Sequence, residues 1–339
     1  MERNKHISII ILNWNGKRWL VALLDSIKSQ TNQDFEVICI DNNSSDDSLQ
    51  ILKAYPSVRV IAFQQNMGYA MAYNLVSALT SAPYLLFLNN DTIIESTFIN
   101  YVLNIIKNDN AKLIAPLVVG YDGLGEQYCG LNVDIVGYPG FHHSRRSFYV
   151  EGCALIIDAQ LFRTIGGFDS EYFMYAEDVD LCWRAQLVGV NITHCENATV
   201  RHFGGGVSVS QSTTHDSLQT TELKRYFGER NRLLNLLKNY SMTSLLFAIP
   251  VYFAINLATI TSLVFSGQSA LCMAFFRAWS WHVENLPRTL RKRRKVQASR
   301  KVSDLVIVSK MWWGSNQWRA LQRHGLPRVS APVSAATAL

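Results

Sequence analysis

The sequence lacks the patterns that mark disulfide-rich, repetitive or disordered proteins. Its six cysteines, at positions 39, 129, 153, 182, 195 and 272, show neither the spacing of a disulfide framework nor that of a metal site, and no internal repeat is visible. Only 17% of the 339 residues are charged and 48% are hydrophobic, which is typical of a folded globular chain of about two domains. The first residues lack the small-residue cleavage site of a signal peptide. We therefore expect reduced cysteines in a reducing compartment.

Charge is absent from residues 244–266, and acids are absent from the basic run at residues 288–301. The uncharged stretch is long enough to span a bilayer, since a span takes about 20 residues. However, Pro250 and Asn256 interrupt it, and a span would separate the basic run from the rest of the chain, against the positive-inside tendency. We predict instead a helix or re-entrant hairpin in the membrane interface, aided by residues 270–281 and held to anionic lipid by the basic run. The alternatives are a buried core or dimerisation helix, and a basic run that is only the solvated face of a helix.

The first third of the chain alternates between short apolar β-rich runs and helical patterns, which predicts a parallel sheet with covering helices. The predicted strands are residues 7–12, 35–40, 58–63 and 84–88, and the predicted helices begin near Arg18, Asp46, Tyr69 and Glu95. Residues 120–150 show no clear period and are predicted to be a loop-rich insertion beside the site. A strand at residues 152–157, a helix at 176–184 and a strand at 198–202 complete this part of the predicted fold.

A polar cluster follows each of the first four predicted strands, at residues 13–16, 41–44, 66–68 and 89–91. In an open α/β sheet, the carboxyl ends of the strands form the edge at which ligands bind. Asp41 could accept from a base N–H or a ribose hydroxyl, or could serve only the turn that it opens. Asp91 could supply a carboxylate to Mg²⁺ or Mn²⁺ bridging two phosphates, or could act as a helix cap or turn residue.

The stretch AEDVDLCWR, residues 176–184, places three carboxylates in four positions directly after an aromatic run at residues 172–175. On a helix, Asp180 and Arg184 are one turn apart and can pair, whereas Asp178 points about 200° away from Asp180. A carboxylate in the first helical turn can take a proton from a hydroxyl, and the aromatic rings beside it would suit the apolar face of a sugar. The spacing therefore assigns Asp178 to a reaction and Asp180 to the scaffold.

Two basic side chains are further candidates for holding an anionic ligand. His202 ends a predicted strand before a glycine-rich turn, where it could reach a metal or a pyrophosphate, or it could be structural as most isolated histidines are. Arg230 could hold phosphate, or could pair with the acids Glu222 and Glu229 of its own helix.

Six segments, in this order and at this spacing, resemble a family 2 glycosyltransferase of the GT-A fold: HISIIILNWNG, VICIDNNSSDDS, NMGYAMAYN, FLNND, EGCALIIDAQLFRTIGGFD and FMYAEDVDLCWR. The subgroup that they resemble is that of the rhamnosyltransferase-like enzymes of bacterial surface polysaccharide assembly. The resemblance covers residues 5–235 and, weakly, the basic C-terminal region. It implies an inverting transfer from a nucleoside diphosphate sugar to an acceptor hydroxyl, assisted by a divalent metal, Mg²⁺ or Mn²⁺.

The resemblance also implies roles for the acids. Asp41 would contact the nucleobase or ribose, and Asp91 would be the metal-binding acid of the family's Asp-x-Asp element. Asp178 would be the general base, and Glu177 would help to position the acceptor or the base.

The metal site departs from the family's pattern, because the first position of the Asp-x-Asp element is Asn89. This lowers the charge available to a metal, although the amide carbonyl can still coordinate it, and His202 would be a further ligand. The other expected donor contacts are Asn13, Asn66, Gly68, Asn90 and Arg230. The expected acceptor contacts are Gly152, Phe173, Tyr175 and Trp183.

The predicted fold class is α/β, a GT-A mixed and mainly parallel sheet with a helical, membrane-associating C-terminal region. The predicted divisions are a catalytic domain (1–238, with a nucleotide-binding half at 1–118 and an acceptor-binding half at 119–238), a hydrophobic and basic helical region (239–325) and a flexible tail (326–339). We expect a peripheral enzyme at the cytoplasmic face of the plasma membrane. Its acceptor would be a lipid-linked or growing glycan, homo-oligomers are compatible with the sequence, and nucleic acid is not an expected partner.

Two other functions compete with this prediction. A sugar nucleotidyltransferase would need a glycine-rich basic loop after the first strand, and residues 13–18 match that pattern poorly. A non-catalytic binder of nucleotide sugars or nucleic acid would show salt-sensitive binding without turnover. The confined extent of the basic run at residues 288–301 and the acids at the sheet edge count against that binder.

Overall fold

The computed structural model describes residues 5–123, 127–140, 147–203, 219–325 and 328–329. The strands are β1 (Ile7–Asn13), β2 (Phe35–Asp41), β3 (Val58–Ala62), β4 (Tyr84–Asn89), β5 (Thr92–Ile94), β6 (Leu113–Gly120), β7 (Tyr128–Cys129), β8 (Asn132–Val133), β9 (Pro139–Gly140), β10 (Ala154–Asp158), β11 (Thr193–His202), β12 (Gln219–Thr220) and β13 (Arg328–Val329). The helices are α1 (Lys17–Lys28), α2 (Ser48–Leu52), α3 (Gly68–Ser77), α4 (Phe98–Asp109), α5 (Ala159–Thr164), α6 (Glu177–Leu187), α7 (Glu222–Asn239), α8 (Met242–Phe265), α9 (Ser269–Glu284), α10 (Leu286–Ser299), α11 (Asp304–Val308) and α12 (Asn316–His324).

The chain forms two compact units that are discontinuous in sequence. The described residues of unit 1 fall within Met1–Leu131, Tyr149–Phe173 and Val190–Gln211. Those of unit 2 fall within Asn132–Phe148, Met174–Gly189 and Ser212–Leu339. This division does not follow the predicted domain boundary at residue 238, because α6 and α7 belong with the C-terminal helices. The predicted tail lies largely outside the described residues.

Unit 1 is built on a mixed nine-stranded sheet with the order β3-β2-β1-β4-β10-β6-β11-β5, with β7 pairing with β6. The first four strands of this order run parallel, whereas β10 is antiparallel to both β4 and β6. The predicted strands and helices of the first ninety residues are present with bounds within about two residues, the scatter expected at element ends. The prediction of a mixed, mainly parallel sheet is thus confirmed.

Alternating side chains of the central strands fill two buried layers, one on each face of the sheet. Ile9 and Ile11 of β1 are fully buried and share a cluster with Leu20 of α1 and Phe98 of α4. On the other face, Phe87 of β4 packs against aromatic rings from α3, α5 and the following turn, namely Tyr73, Phe162 and Phe168. Burial of each such side chain contributes about 1.5–3 kcal/mol, so the apolar runs of the sequence hold the sheet edge in place.

The sequence did not predict β6, although this strand joins the two halves of the sheet. Its run, Leu113–Gly120, contains Pro116, which argues against a central strand because proline cannot donate to the ladder. The register between β6 and β11 shifts between Cys195 and Thr199, next to the pairing of Pro116 with Cys195. This shift in register accommodates Pro116, the residue that argued against a strand in the sequence.

Unit 2 is mainly helical, with α7 in contact with α6, α8, α9 and α10. Residues 244–265 lie in the single helix α8, which continues through Pro250, so the re-entrant hairpin is wrong and the helix is confirmed. Among the described residues, α8 alone is long and apolar enough to cross a membrane, by length and composition. All six cysteines are free, as predicted.

Candidate functional site

Three of the residues expected to bind the nucleotide sugar, Asn13, Asp41 and Asn90, form a hydrogen-bonded row across three strand ends of unit 1. Asn13, at the end of β1, donates from Nδ2 to Asp41 Oδ1 at 3.1 Å, and Asn90 Nδ2 donates to Asn13 Oδ1 at 2.9 Å. The row follows from the register, because β1 pairs with both β2 and β4 in parallel. Asp41 is nearly fully buried, and its other oxygen accepts from the backbone N–H of Ser44 at 3.1 Å. The turn role weighed for Asp41 is therefore present, and contact with a nucleotide stays a prediction.

Gly68, Gly152 and Phe173 meet around Tyr69 of α3 in the same unit. Tyr69 donates its backbone N–H to the Phe173 carbonyl at 2.8 Å and its hydroxyl to the Gly152 carbonyl at 2.7 Å. Gly68 has a φ of +70°, and a Cβ there would lie 2.6 Å from the Phe173 ring. Asn66 Oδ1 accepts from the Gly68 N–H at 2.9 Å and so holds this turn. The positive φ and the nearby Phe173 ring explain why position 68 is glycine, without a bound ligand.

Asp91 and His202 lie together at the edge of the sheet, as the prediction of a shared metal site requires. His202 Nε2 is 3.4 Å from Asp91 Oδ1, and both side chains are largely buried. Burial by itself would lower the pKa of His202, but the hydrogen bond with Asp91 and the charge of Glu151 outweigh it and raise the pKa above its usual value. Asn89 ends β4 two residues before Asp91. The glycine-rich turn expected after His202, residues 204–206, lies outside the described residues.

A residue that the sequence analysis did not assign, Glu151, lies on the other side of His202. Its Oε2 is 3.9 Å from His202 Nδ1 and accepts hydrogen bonds from Tyr128 Oη at 2.5 Å and Cys153 Sγ at 3.3 Å. Glu151, Cys153 and His202 offer ligand atoms that all lie within 4.8 Å of one another. The position of Glu151, directly before the predicted strand at residues 152–157, was the available signal for a side chain at the sheet edge.

The pair Asp91 and His202 fits a divalent cation. It supplies one carboxylate and one imidazole nitrogen, ligands that suit Mg²⁺ or Mn²⁺ and leave positions for the oxygens of a diphosphate. The raised pKa of His202 is compatible with binding, because a metal displaces the proton of its imidazole ligand. Asp91 and His202 would hold the ion, which would offset negative charge on a departing diphosphate.

In unit 2, the carboxylates of α6 divide into buried and accessible groups, as the helical spacing predicted. Asp180 is fully buried and accepts from Arg184 Nε at 2.8 Å, which confirms the predicted pair. Lys238 Nζ lies 3.0 Å from Asp180, and Asn239 Nδ2 donates to the same carboxylate at 3.0 Å. Asp178 is only half-buried, and its Oδ1 accepts from the Val179 N–H at 2.7 Å. Asp180 is thus committed to the scaffold, and Asp178 is the accessible acid.

Glu177, the neighbour of Asp178, has a different environment. It is buried, and its Oε2 has no hydrogen-bond partner among the residues that the structure describes. Burial, followed by the charge of Asp178, raises the pKa of Glu177 well above its usual value. A raised pKa favours the protonated carboxyl, which can donate a hydrogen bond, so Glu177 is suited to positioning a polar group and Asp178 to accepting a proton.

The turn that leads into α6 is strained and is held by α7. Tyr175 and Ala176 have φ values of +70° and +62°, the left-handed region that residues other than glycine rarely occupy. Asn231 Nδ2 donates to the carbonyls of Met174 at 2.8 Å and Tyr175 at 2.7 Å, and Asn235 Nδ2 donates to that of Ala176 at 3.2 Å. Strained backbone held in this way is typical of functional sites. The spacing of Asn231 and Asn235, one turn apart in α7, was the signal that the sequence analysis missed.

Two residues predicted to bind ligands are used in packing within unit 2. Trp183 is fully buried, and its ring packs edge-on against Phe148 and Tyr240 with centroids 5.2 and 4.8 Å apart. Its ring therefore fills the core and is not exposed to an acceptor, which corrects that prediction. Arg230 is also buried, with its guanidinium 4.7 Å from the Phe227 ring centroid and 5.0 Å from that of Trp281.

The acids that were alternative partners for Arg230 pair with other arginines. Glu229 pairs with Arg225 at 3.2 Å and with Arg232, and Glu222 pairs with Arg277 at 2.5 Å. The contacts of Arg230 with aromatic rings explain its burial without a phosphate, and a role in donor binding stays a prediction.

Comparison with known proteins agrees with these features. A family model described as Glycosyl transferase family 2 matches residues 8–146. An uncharacterised glycosyltransferase of Rickettsia prowazekii is 27% identical over 52% of this chain and 58% of its own length. The dTDP-rhamnosyl transferase RfbF of Shigella flexneri is 24% identical over 70% of this chain and 82% of its own length. The chain thus spans less than two thirds of the Rickettsia relative, but most of RfbF.

Solved structures show the same fold. TarS 1-349 of S. aureus in complex with UDP-GlcNAc superposes with a TM-score of 0.55 and 17% identity, over 86% of this chain and 88% of TarS. The mannosyltransferase PcManGT of Pyrobaculum calidifontis, in complex with GDP-Man and Mn²⁺, gives a TM-score of 0.50 and 12% identity, over 88% of this chain and 86% of its own. The mixed sheet, the polar row at its edge and these comparisons agree: residues 8–146 match the family 2 glycosyltransferases, and the chain has the GT-A fold.

Proposed function

We propose that this protein transfers a sugar, with inversion, from a nucleoside diphosphate sugar to a hydroxyl of a lipid-linked or growing glycan. The observation that carries the proposal is the pairing of Asp91 with His202 at the sheet edge, next to the row of Asn13, Asp41 and Asn90. A metal-binding pair beside polar strand ends is what a diphosphate-bearing donor requires.

The chemical step is a single displacement. The acceptor O–H gives its proton to the carboxylate of Asp178, the acceptor oxygen bonds to the anomeric carbon, and the bond from that carbon to the diphosphate breaks. Asp178 suits this role because it is accessible in the first turn of a helix whose other acids are buried. General-base assistance of this kind contributes about 10²- to 10⁴-fold in rate.

The proposal is tested by nucleoside diphosphate release from a panel of dTDP-, UDP- and GDP-sugars, with Mg²⁺, Mn²⁺ or EDTA. dTDP-rhamnose is the first donor to try, because the Shigella relative is named a dTDP-rhamnosyl transferase. Metal-dependent release from one donor supports the proposal. Release of pyrophosphate from a nucleoside triphosphate and a sugar phosphate would instead support a nucleotidyltransferase, and absence of both turnover and donor-induced thermal stabilisation would overturn the proposal.

Replacement of Asp91 by alanine is expected to raise the Mn²⁺ concentration that gives half-maximal turnover by at least about 10-fold. Losing a metal ligand should cost at least as much metal affinity as losing a residue that only supports a ligand. The measurement is a Mn²⁺ titration of nucleoside diphosphate release at saturating donor. The matched control is Asp109→Ala, which removes an exposed acid at the end of α4 in the same unit. An unchanged titration curve for Asp91→Ala would remove Asp91 from the metal site.

We further propose that unit 2 holds the protein on the cytoplasmic face of the plasma membrane through α8. One face of α8 is bound to unit 2 by polar contacts: Arg232 Nη2 donates to Asn256 Oδ1 at 2.7 Å, and Gln317 Nε2 donates to Thr259 Oγ1 at 2.7 Å. A helix crossing the bilayer in this state would bring Arg232 and its partner Glu229 to membrane depth, which is costly. The contacts favour a helix that lies in the interface.

The opposite face of α8 is apolar and exposed, and the basic run of α10 supplies charge in the same unit. The large exposed apolar residues of α8 are Met242, Leu246, Phe247, Val251, Leu257, Val264 and Phe265. In α10, Arg291, Arg294 and Lys295 are exposed, whereas Arg293 donates to the Leu237 and Tyr240 carbonyls. The basic run is therefore partly structural and partly available to anionic lipid.

Changing Arg291, Arg294 and Lys295 together to glutamine is expected to weaken binding to vesicles containing phosphatidylglycerol by roughly 100-fold at low salt, at about 1 kcal/mol per charge near an anionic surface. Flotation of the full chain with these vesicles, and with neutral ones, measures this. The control changes Lys28, Lys53 and Lys107, exposed residues of unit 1, to glutamine, which alters net charge equally. Equal loss in both triple variants, or a wild-type chain that stays unbound while forming dimers, would refute the membrane site.

A further inference from the structure

Glu151 has an environment that its role as the residue before a strand does not explain. Its Oε2 is held by the Tyr128 hydroxyl at 2.5 Å and by Cys153 Sγ at 3.3 Å, so the carboxylate is fixed in place. It faces Nδ1 of His202, whereas Asp91 faces Nε2 of the same ring. Two carboxylates therefore flank one imidazole from opposite sides.

The two ring nitrogens point in different directions, so one cation can bind only one of them. Neighbouring ligands of an octahedral Mg²⁺ or Mn²⁺ ion lie roughly 3 Å apart, since metal–ligand distances are about 2.1 Å. The Asp91 Oδ1 to His202 Nε2 separation of 3.4 Å is close to that spacing, and the Glu151 Oε2 to Nδ1 separation of 3.9 Å is farther from it. The Asp91 side of the ring is therefore the side that suits a metal.

We propose that Glu151 is a positioning residue, whose carboxylate stabilises the proton on Nδ1 of His202 and so leaves the Nε2 lone pair directed to a divalent cation beside Asp91. This rests on the metal site of the proposed function and deepens it. A carboxylate behind a ligating histidine fixes the ring and its tautomer and makes the nitrogen more basic. At a site where the first acid of the Asp-x-Asp element is Asn89, this added charge offsets the one that is missing.

The test is Mn²⁺ affinity of the full-length protein, followed by the electron paramagnetic resonance signal of free Mn²⁺, with and without inorganic pyrophosphate. Glu151→Ala is expected to weaken binding by about 10- to 100-fold, the range for such supporting groups. Glu151→Gln, whose amide oxygen can still accept from Nδ1–H, is expected to restore part of that loss. Tyr128→Phe, which frees Glu151 without removing it, is expected to weaken binding less than Glu151→Ala.

The matched control is Glu196→Gln, which neutralises an exposed acid on β11, the strand that also carries His202. A thermal unfolding midpoint measured without metal separates a general loss of stability from a specific loss of affinity. Affinity within twofold of wild type in both Glu151→Ala and Tyr128→Phe overturns the inference. A loss in Glu151→Gln as large as in His202→Ala also overturns it, since Glu151 would then be a direct ligand.

Failure of this inference is distinguishable from failure of the proposed function. If Asp91→Ala and His202→Ala weaken Mn²⁺ binding and Glu151→Ala does not, only the role of Glu151 is lost. If none of the three changes Mn²⁺ affinity, the ion binds elsewhere and the proposed metal site fails as well. If all three weaken binding but no nucleotide sugar is turned over, the site stands and the proposed reaction fails.

Discussion

Asp178→Asn is expected to lower the rate of sugar transfer by at least about 100-fold while leaving donor affinity nearly unchanged. The substitution keeps size and the oxygen that accepts from the Val179 N–H, but an amide cannot take up the proton of the acceptor hydroxyl. Turnover is measured by nucleoside diphosphate release with acceptor present, and donor binding by calorimetry. Because the change removes one charge from the first turn of α6, its cost in stability is expected to be about 0.3–1 kcal/mol.

Asp180→Asn is the natural comparison for this variant, since it makes the same chemical change two positions along the same helix. Asp180→Asn is expected to lower the stability of unit 2, whereas Asp178→Asn is expected to lower the rate of the reaction. Equal losses of donor affinity and turnover in Asp178→Asn would contradict the base assignment, because a general base acts in the transition state and contributes little to donor binding.

Asp180→Asn is expected to destabilise unit 2 by about 3–5 kcal/mol, the usual cost of removing one partner from a buried ion pair. Asp180 is fully buried, and Lys238, only 1% exposed, lies 3.0 Å from its carboxylate. Neutralising Asp180 leaves the ammonium of Lys238 and the guanidinium of Arg184 without their shared anion. Urea unfolding, followed by circular dichroism, measures the loss as a lower midpoint.

A second substitution separates loss of the ion pair from a general packing defect. In Asp180→Asn with Lys238→Met, the uncompensated ammonium is replaced by an apolar chain of similar length, so a large part of the lost stability is expected to return. If the stability losses of the two single variants simply add, so that the double variant is less stable than either, Lys238 and Asp180 are not energetically coupled.

The sequence predicts unit 1 well because its elements follow local rules. The apolar runs of β1, β2 and β4 and the polar residues after them suffice to place Asn13, Asp41 and Asp91 at one edge. Parallel pairing of neighbouring strands then brings their ends together without further information. The split between Asp178 and Asp180 is likewise a consequence of helical geometry, which the spacing alone contains.

The features that the sequence did not predict depend on long-range contacts. Glu151 reaches His202 only through the pairing of β10 with β4 and β6, and of β6 with β11, and β6 itself was hidden by Pro116. Trp183 was an expected acceptor contact, but Phe148 and Tyr240 enclose it from elements distant in sequence. Asn231 and Asn235 support the turn before α6 from more than fifty residues away. No local pattern contains such information.

The basic run of α10 closes the C-terminal end of α7. Arg293 donates to the Leu237 and Tyr240 carbonyls, Gln297 Nε2 donates to that of Lys238 at 2.8 Å, and Arg300 donates to that of Asn239. The same end of α7 carries Lys238 and Asn239, which hold Asp180. The proposed membrane-binding region is therefore not a removable module: a chain cut after residue 240 would lose the proposed anchor and the support of α6 in one step. Solubilising variants should be made by surface substitution on α8 and not by truncation.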